Sequence, residues 1–228
     1  MVACCKARRT RRIFGLSGNG GGSKDSDHPP THLFFKAERP ACASADLPPG
    51  YHWSIWKPAL NHLMPNGMSQ QRKRFTARWL MHQLHIFSNR EYQVLVIRNG
   101  RGEIVHYSGA TGRYWRWPFM DRGDMQVGDT WTDPDHRGRG LARFALVRLL
   151  HDLTKPGRRI WYVVHQDNSA SIKVARSCGM SLAGTGFITR PRWIAFLHAF
   201  VMEQTAVEKS DAGVSSLTAQ PAEGEPLE

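Results

Sequence analysis

The stretch Asp133-Pro134-Asp135-His136-Arg137-Gly138-Arg139-Gly140-Leu141-Ala142-Arg143 gathers the residue types best suited to chemistry. Two glycines one residue apart stand directly before an apolar-periodic run, Leu141, Ala142, Phe144, Ala145, Leu149 and Leu150. Glycine lets a backbone approach a ligand closely, and the first amides of a helix have no acceptor within it. The helix dipole favours negative charge at that end, and Arg137, Arg139 and Arg143 surround it with positive charge, so a phosphate or pyrophosphate is the natural guest. A plain helix start with flexible glycines and solvated arginines would look the same, because short glycine motifs recur without function. The third glycine and downstream acid of a dinucleotide fingerprint are missing, as is the Gly-Lys-Ser/Thr ending of a Walker loop.

Arg137-x-x-Gly140-x-Ala142 resembles the acyl-CoA pyrophosphate loop of the GNAT N-acetyltransferase superfamily, whose signature is Gln/Arg-x-x-Gly-x-Gly/Ala. A second match follows at the expected distance. Asn168-Ser169-Ala170-Ser171-Ile172, ending on Gly179-Met180, is similar to the superfamily's Asn-x-x-Ala/Ser-Ile segment with its terminal Gly-Phe. The resemblance covers roughly residues 50 to 200. It implies an α/β fold whose mixed, mostly antiparallel central sheet is flanked by helices and holds a splayed parallel strand pair that binds acyl-CoA. It also implies transfer of an acyl group, from acetyl-CoA or another acyl-CoA, directly to an amine in a ternary complex. Main-chain groups of Thr130, Trp131 and Thr132 would hold the pantetheine like an added strand. Amides of Gly138, Arg139, Gly140, Leu141, Ala142 and Arg143 would take the pyrophosphate beside Arg137, and Asn168 would meet the pantetheine arm. The acceptor would be a small-molecule or peptide amine, no metal is required, and a homodimer is compatible with the pattern.

The chain departs from the family where acid–base chemistry is needed. An alkylammonium acceptor, with a pKa of about 10, must lose a proton before it can attack a thioester. The glutamate that several members carry five residues before the asparagine is Val163, the tyrosine often used as general acid is Ala175, and the strand glutamate of other members falls near Gln126. The substitutes within reach are Asp129 and His165. His165 has a reference pKa near 6.5 that suits proton relay, yet a strand-end role for His165 and an ion pair for Asp129 describe the same residues as structure. Cys178 matches a packing position of the motif and is not expected to carry an acyl group.

Elements must position these residues. Met125 to Thr132 reads as a strand and Gly140 to about Lys155 as a helix stopped by Pro156-Gly157. The apolar run Ile160 to Val164 reads as a strand covered on both faces. Gln166-Asp167-Asn168-Ser169 then caps a helix that ends at Gly179. Upstream, Tyr51 to Trp56 alternates as a first strand, and Arg72 to Phe87 carries Phe75, Trp79, Leu80, Leu84 and Phe87 at helical spacing with Ser69 as its candidate cap. Glu91 to Arg98 and Glu103 to Ser108 form a hairpin across Asn99-Gly100-Arg101-Gly102. The aromatic insertion Tyr114 to Met120 is either a cover packed on the sheet or a lip for the acceptor. Ser181 to Phe187 and the segment from Trp193 to Val201 supply closing strands or a helix.

Composition bounds the remainder. Residues 51 to 200 hold 22 Lys and Arg against 9 Asp and Glu, whereas residues 201 to 228 hold one basic and six acidic residues. The basic residues are scattered rather than gathered in one aromatic-interleaved groove, which weighs against nucleic acid as a partner. Four cysteines give no metal-ligand spacing or disulfide framework, and no run of eighteen apolar residues is present. These features suggest a cytoplasmic protein. Residues 1–49, basic and rich in Gly and Pro, are expected to be a disordered tail, residues 50–203 the acyltransferase domain, and residues 204–228 a disordered acidic tail. Two other readings stay open: a non-catalytic acyl-CoA-binding domain with regulatory function, and a basic nucleic-acid-binding protein whose glycine loop meets backbone phosphate.

Overall fold

The computed structural model describes residues 31–39, 45–68, 71–189 and 198–204. Eight strands form one sheet: β1 (His32–Ala37), β2 (Tyr51–Trp56), β3 (Gln93–Asn99), β4 (Ile104–Gly112), β5 (Met125–Thr132), β6 (Ile160–His165), β7 (Ser181–Thr189) and β8 (Ala199–Gln204). Their spatial order is β2-β3-β4-β5-β6-β1-β7-β8, and every neighbouring pair is antiparallel except β5 and β6. Among the described residues three α-helices accompany them: α1 (Arg72–Gln83), α2 (Leu141–Leu153) and α3 (Ser169–Ser177). This is the mixed, mostly antiparallel α/β architecture with one parallel pair that the motifs imply.

The sheet carries a core on each face. One face packs Leu95, Ile97, Val127 and Tyr162 against the apolar stripe of α2 and against Ala175 and Cys178 at the end of α3. The other packs Val94, Val96, Tyr107 and Trp161 against Phe75 of α1 and against Tyr114, Trp117 and Met120 of the aromatic insertion. The insertion is thus a cover, built from edge-on and stacked rings. Trp117 stacks on Phe200 at 4.6 Å, and Phe119 meets Trp161 edge-on at 5.0 Å.

The expected disordered tail is corrected at β1. Residues 32–37 occupy an interior place in the sheet, paired with β6 on one side and β7 on the other, and Phe34 and Phe35 are completely buried on opposite faces. Averaged over 49 residues, the glycine and proline content hides a short apolar run whose partners lie some 130 residues downstream. Burying two phenylalanines contributes roughly 2 kcal/mol each, which helps offset the entropy of ordering six residues. The domain therefore starts before residue 50, and Tyr51–Trp56 is the second strand. The expected tails at residues 1–30 and 205–228, and Ser69, lie outside the described residues.

Helix ends explain the remaining shifts. The periodicity of α1 continues to Phe87, but the helix stops at Gln83 because His85 turns left-handed, at φ 55°. His85 N–H then donates to His82 C=O and Ile86 N–H to Met81 C=O, the paired bonds of a Schellman ending with histidine in the usual glycine place. The end of α3 repeats the pattern with Gly179 at φ 73°. Ser181 to Phe187 falls in the strand β7, and of the segment from Trp193 to Val201 residues 199–201 open β8, while residues 193–197 lie outside the described residues.

Candidate coenzyme cleft and acceptor face

The parallel ladder between β5 and β6 is short. It pairs Met125 with Ile160, Gln126 with Trp161 and Val127 with Tyr162, and then ends. The cause lies in β5. Opposite the single residue Ser108 of β4, two residues of β5, Asp129 and Thr130, are accommodated between the pairs Gly109–Gly128 and Tyr107–Trp131. This β-bulge holds Asp129 at φ 49°, a left-handed conformation that Asp tolerates better than most residues. The bend leaves Gly128 to Thr132 without a strand partner on the β6 side among the described residues.

At the open end of that gap stands the N-terminus of α2. Gly140, at φ 78°, precedes the helix without a side-chain cap, and the first intrahelical bond is Phe144 N–H to Gly140 C=O at 2.9 Å. The amides of Leu141, Ala142 and Arg143 come before that bond, as an anion site requires. Gly138 also has positive φ, 75°, and a Cβ on either glycine would meet nothing within 4 Å, so the loop is open on its ligand side. A Pro134–His136 turn leads into it, with the Asp133 carboxylate accepting from Asp135 N–H. His136 Nδ1 sits 2.8 Å from the Tyr51 hydroxyl, anchoring the loop to β2.

A cleft of about 560 Å³ joins these parts. Thr130, Trp131, Thr132, Arg137, Gly138, Gly140, Leu141, Ala142, Arg143 and Asn168 all border it, so the structure brings together every coenzyme residue expected from the sequence except Arg139. Arg139 turns away, its guanidinium donating to Asp135 C=O at 3.4 Å. Arg137 is partly engaged, since its Nε donates to Thr132 C=O at 3.2 Å. Asn168 caps α3 by accepting from Ser171 N–H at 3.1 Å, so its role at the cleft edge is shared with holding the helix. The shape and donor set fit an acyl-CoA: a channel beside an unpaired strand, ending on bare helix amides and two arginines.

The floor of the cleft holds residues that the sequence does not single out. Tyr162 borders it, with its hydroxyl in hydrogen-bond reach of Ser171 and Thr130. Burial raises its pKa, so it keeps its proton at neutral pH. Thr130 Oγ1 lies 3.1 Å from Ser108 Oγ, which lies 3.0 Å from His106 Nε2, and His106 Nδ1 lies 2.8 Å from Thr132 Oγ1. His106 is completely buried, and desolvation lowers its pKa to about 3. Neutral imidazole donates at one nitrogen and accepts at the other, which suits two flanking hydroxyls.

The two expected acid–base candidates lie apart. Asp129 sits at the bulge on the α1 face and forms an ion pair with Arg78. His165 ends β6, exposed over about half of its side chain, with its ring edge-on to His32 at 5.1 Å and its Nδ1 accepting from Asp167 N–H at 3.3 Å. Cys178 is a buried packing residue whose Sγ reaches Arg143 C=O at 3.9 Å. Among the described residues no three His, Cys, Asp or Glu side chains gather to hold a metal, and no helix is long and apolar enough to cross a membrane.

Comparison with known proteins finds the following similarities. A GCN5-related N-acetyltransferase from Sphaerobacter thermophilus is 16% identical, matching 68% of this chain and 49% of its own with a TM-score of 0.46. A tandem GNAT protein from the clavulanic acid biosynthesis pathway is 17% identical over 69% of this chain and 51% of its own, TM-score 0.46. A GNAT superfamily phosphinothricin acetyltransferase from Sinorhizobium meliloti, solved in complex with acetyl-CoA, is 21% identical over 59% of this chain and 69% of its own, TM-score 0.42. The chain spans about half the length of the first two. No curated protein matches it. The family model for the acetyltransferase (GNAT) domain matches residues 39–181, well over half of the sequence. With both motifs bordering one cleft, the chain belongs to the GNAT acetyltransferase family.

Proposed function

We propose that this protein is an acyl-CoA-dependent N-acyltransferase that uses acetyl-CoA and transfers its acyl group directly to an amine. The observation that carries this reading is the early end of the β5–β6 ladder at Val127–Tyr162, which opens a gap leading to the uncapped start of α2. In it, the loop amides, Arg137 and Arg143 bind and orient the phosphates. Unpaired main-chain groups beyond the bulge align the pantetheine and polarise the thioester carbonyl. Bound there, the coenzyme presents an activated acyl carbon to an amine.

Proton handling falls to residues on the two faces of the gap. Asp129 stands on the α1 face, where the acceptor enters opposite the coenzyme, and takes the ammonium proton directly or through a water. His165 is further out and already engaged, so Asp129 is the better base. Tyr162 stands on the coenzyme face and supplies a proton to the leaving thiolate. A cytoplasmic location, where acyl-CoA is available, is part of this proposal.

Calorimetric titration with acetyl-CoA tests the reading. Binding at micromolar Kd is expected for the native protein. It should weaken by at least a hundredfold in Gly140→Asp, whose carboxylate would face the phosphates at the positive helix end. Gly140→Ala separates this from backbone strain, which at positive φ is about 1–2 kcal/mol, and should retain measurable binding. Equal affinity in Gly140→Asp and the native protein would refute the loop assignment.

A further inference from the structure

Between α1 and the sheet, on the face opposite the coenzyme cleft, lies a second and smaller cavity. Its walls are Arg74, Phe75 and Arg78 of α1, Tyr92 just before β3, Tyr107 of β4 and Asp129 at the bulge. Its enclosed part is about 20 Å³, room for a water or the head of a small polar group, with the rest opening outward. Because Asp129 borders it, the cavity meets the bulge where the acyl carbon is delivered in the proposed reaction.

The charges of this cavity do not cancel. Burial works against the Arg78 cation, but Asp129 alongside, with Tyr114 and Tyr92 nearby, outweighs it and holds the guanidinium charged. That pair is neutral overall. Arg74, one turn earlier on the same helix, is exposed to the cavity mouth and pairs with no carboxylate among the described residues. Helix α1 offers none: its sequence carries Arg72, Lys73, Arg74 and Arg78 and no acidic residue, and its first turn has no capping side chain. A bare alkylammonium would meet a net positive site and be repelled, whereas an amine that also bears a carboxylate brings the missing counter-charge.

We propose that the cavity is the acceptor site and that it selects a free amino acid, with Arg74 gripping the carboxylate while the amine lies at the bulge beside Asp129. Arg74 and Arg78 are four residues apart, about 6 Å along the helix, so Arg74 stands one turn from the Arg78–Asp129 pair. Phe75, Tyr92 and Tyr107 line the cavity with rings, and the enclosed part has room for the amine alone, so the side chain of the amino acid lies in the open mouth. This inference rests on the acyltransferase reading above, and it adds the acceptor class and the residue that reads it.

The test uses the full chain. Acetyl-CoA binding is measured first by calorimetry. Release of CoA is then followed with phenylalanine, leucine and methionine, each beside its amide and its decarboxylated amine. The acids are expected to show kcat/KM at least tenfold above both partners. Arg74→Ala should abolish that preference through KM with little change in kcat, and Arg74→Lys should restore part of it. Coenzyme binding with no turnover of the acids, or with equal or better turnover of the partners that lack the carboxylate, would overturn the acceptor class and leave the acyltransferase reading standing. A preference that survives in Arg74→Ala would overturn the role of Arg74. No coenzyme binding at all would overturn both readings.

Discussion

Tyr162 shows how a single hydroxyl becomes useful through its surroundings. It lies in the apolar run Ile160 to Val164, and that run gives no sign that one member faces a cleft. The sign is three-dimensional: the ladder partner of Val127 is the last residue of β6 before the strands separate, so its side chain borders the gap. Burial raises its pKa, so the phenol is fully protonated at neutral pH and can serve a thiolate as it leaves. Tyr162→Phe should lower kcat by about tenfold to a hundredfold while acetyl-CoA affinity by calorimetry stays within about threefold. The loss should shrink above about pH 8.5, where a thiol ionises unaided and thiolate departure needs no acid. Unchanged kcat across pH 6 to 9 would remove Tyr162 from the chemistry. The proposed coenzyme loop was far more legible, because what would bind there is backbone amides held at φ angles that glycine spacing reveals directly. The buried chain from Thr132 through His106 and Ser108 to Thr130 left no trace, since its members are four separate polar residues on two strands until the register brings them together.

At the scale of elements, local pattern served well wherever the partner was close in sequence. The bounds of β5 match the expected ones, Met125 to Thr132, and α2 begins and ends beside the glycine and proline that punctuate it. The failure at β1 has the opposite cause: six residues with no turn, cap or hairpin partner near them take their place only through β6 and β7. β1 is nevertheless central, because it fills the space between the half of the sheet that carries the proposed coenzyme cleft and the β7–β8 pair. A chain that starts at residue 38 loses Phe34 and Phe35 from both cores and leaves two interior strand edges bare. It should lose at least about 4 kcal/mol from those two side chains alone, enough to unfold a protein of ordinary stability or expose it to edge pairing. Removing residues 1–30 spares β1 and should change the urea midpoint little. Equal midpoints for the two truncations would show that β1 is dispensable.

Across the whole molecule, the net charge of +12 looks at first like an invitation to polyanions. Among the described residues, part of it is already paired. Arg158 and Lys155 are tied to Glu91, Arg159 to Asp121 and Asp124, and Arg148 to Asp152 and the Trp53 ring. Basic residues concentrate at the start of α2 and along α1, the two places where anionic parts of the proposed substrates belong. The same fold makes stability depend on pH through histidine. His106 is lowered to about 3 by desolvation, His82 is lowered by desolvation with help from His85 and Arg90, and His32 is lowered by desolvation with help from His165 and Arg116. Each takes up a proton more readily when unfolded, near pH 6.5, so the unfolded state binds more protons and stability falls as pH drops below that value. The carboxylate of Glu91, held at about 2 chiefly by hydrogen bonds from Arg158, adds its own loss only below about pH 4.5. Between pH 6.5 and 5 the decline therefore belongs to histidines, and His106 alone sets a slope of at most about 1.4 kcal/mol per pH unit. Urea unfolding of the native protein and of His106→Gln, which keeps a donor and an acceptor beside Ser108 and Thr132, isolates that share. The variant should be less stable at pH 7.5, where native packing is better, yet lose less on acidification, so that the two curves converge towards pH 5. Parallel curves would mean that His106 takes up its proton equally in both states, and the buried chain beneath the cleft would then have to admit a charge.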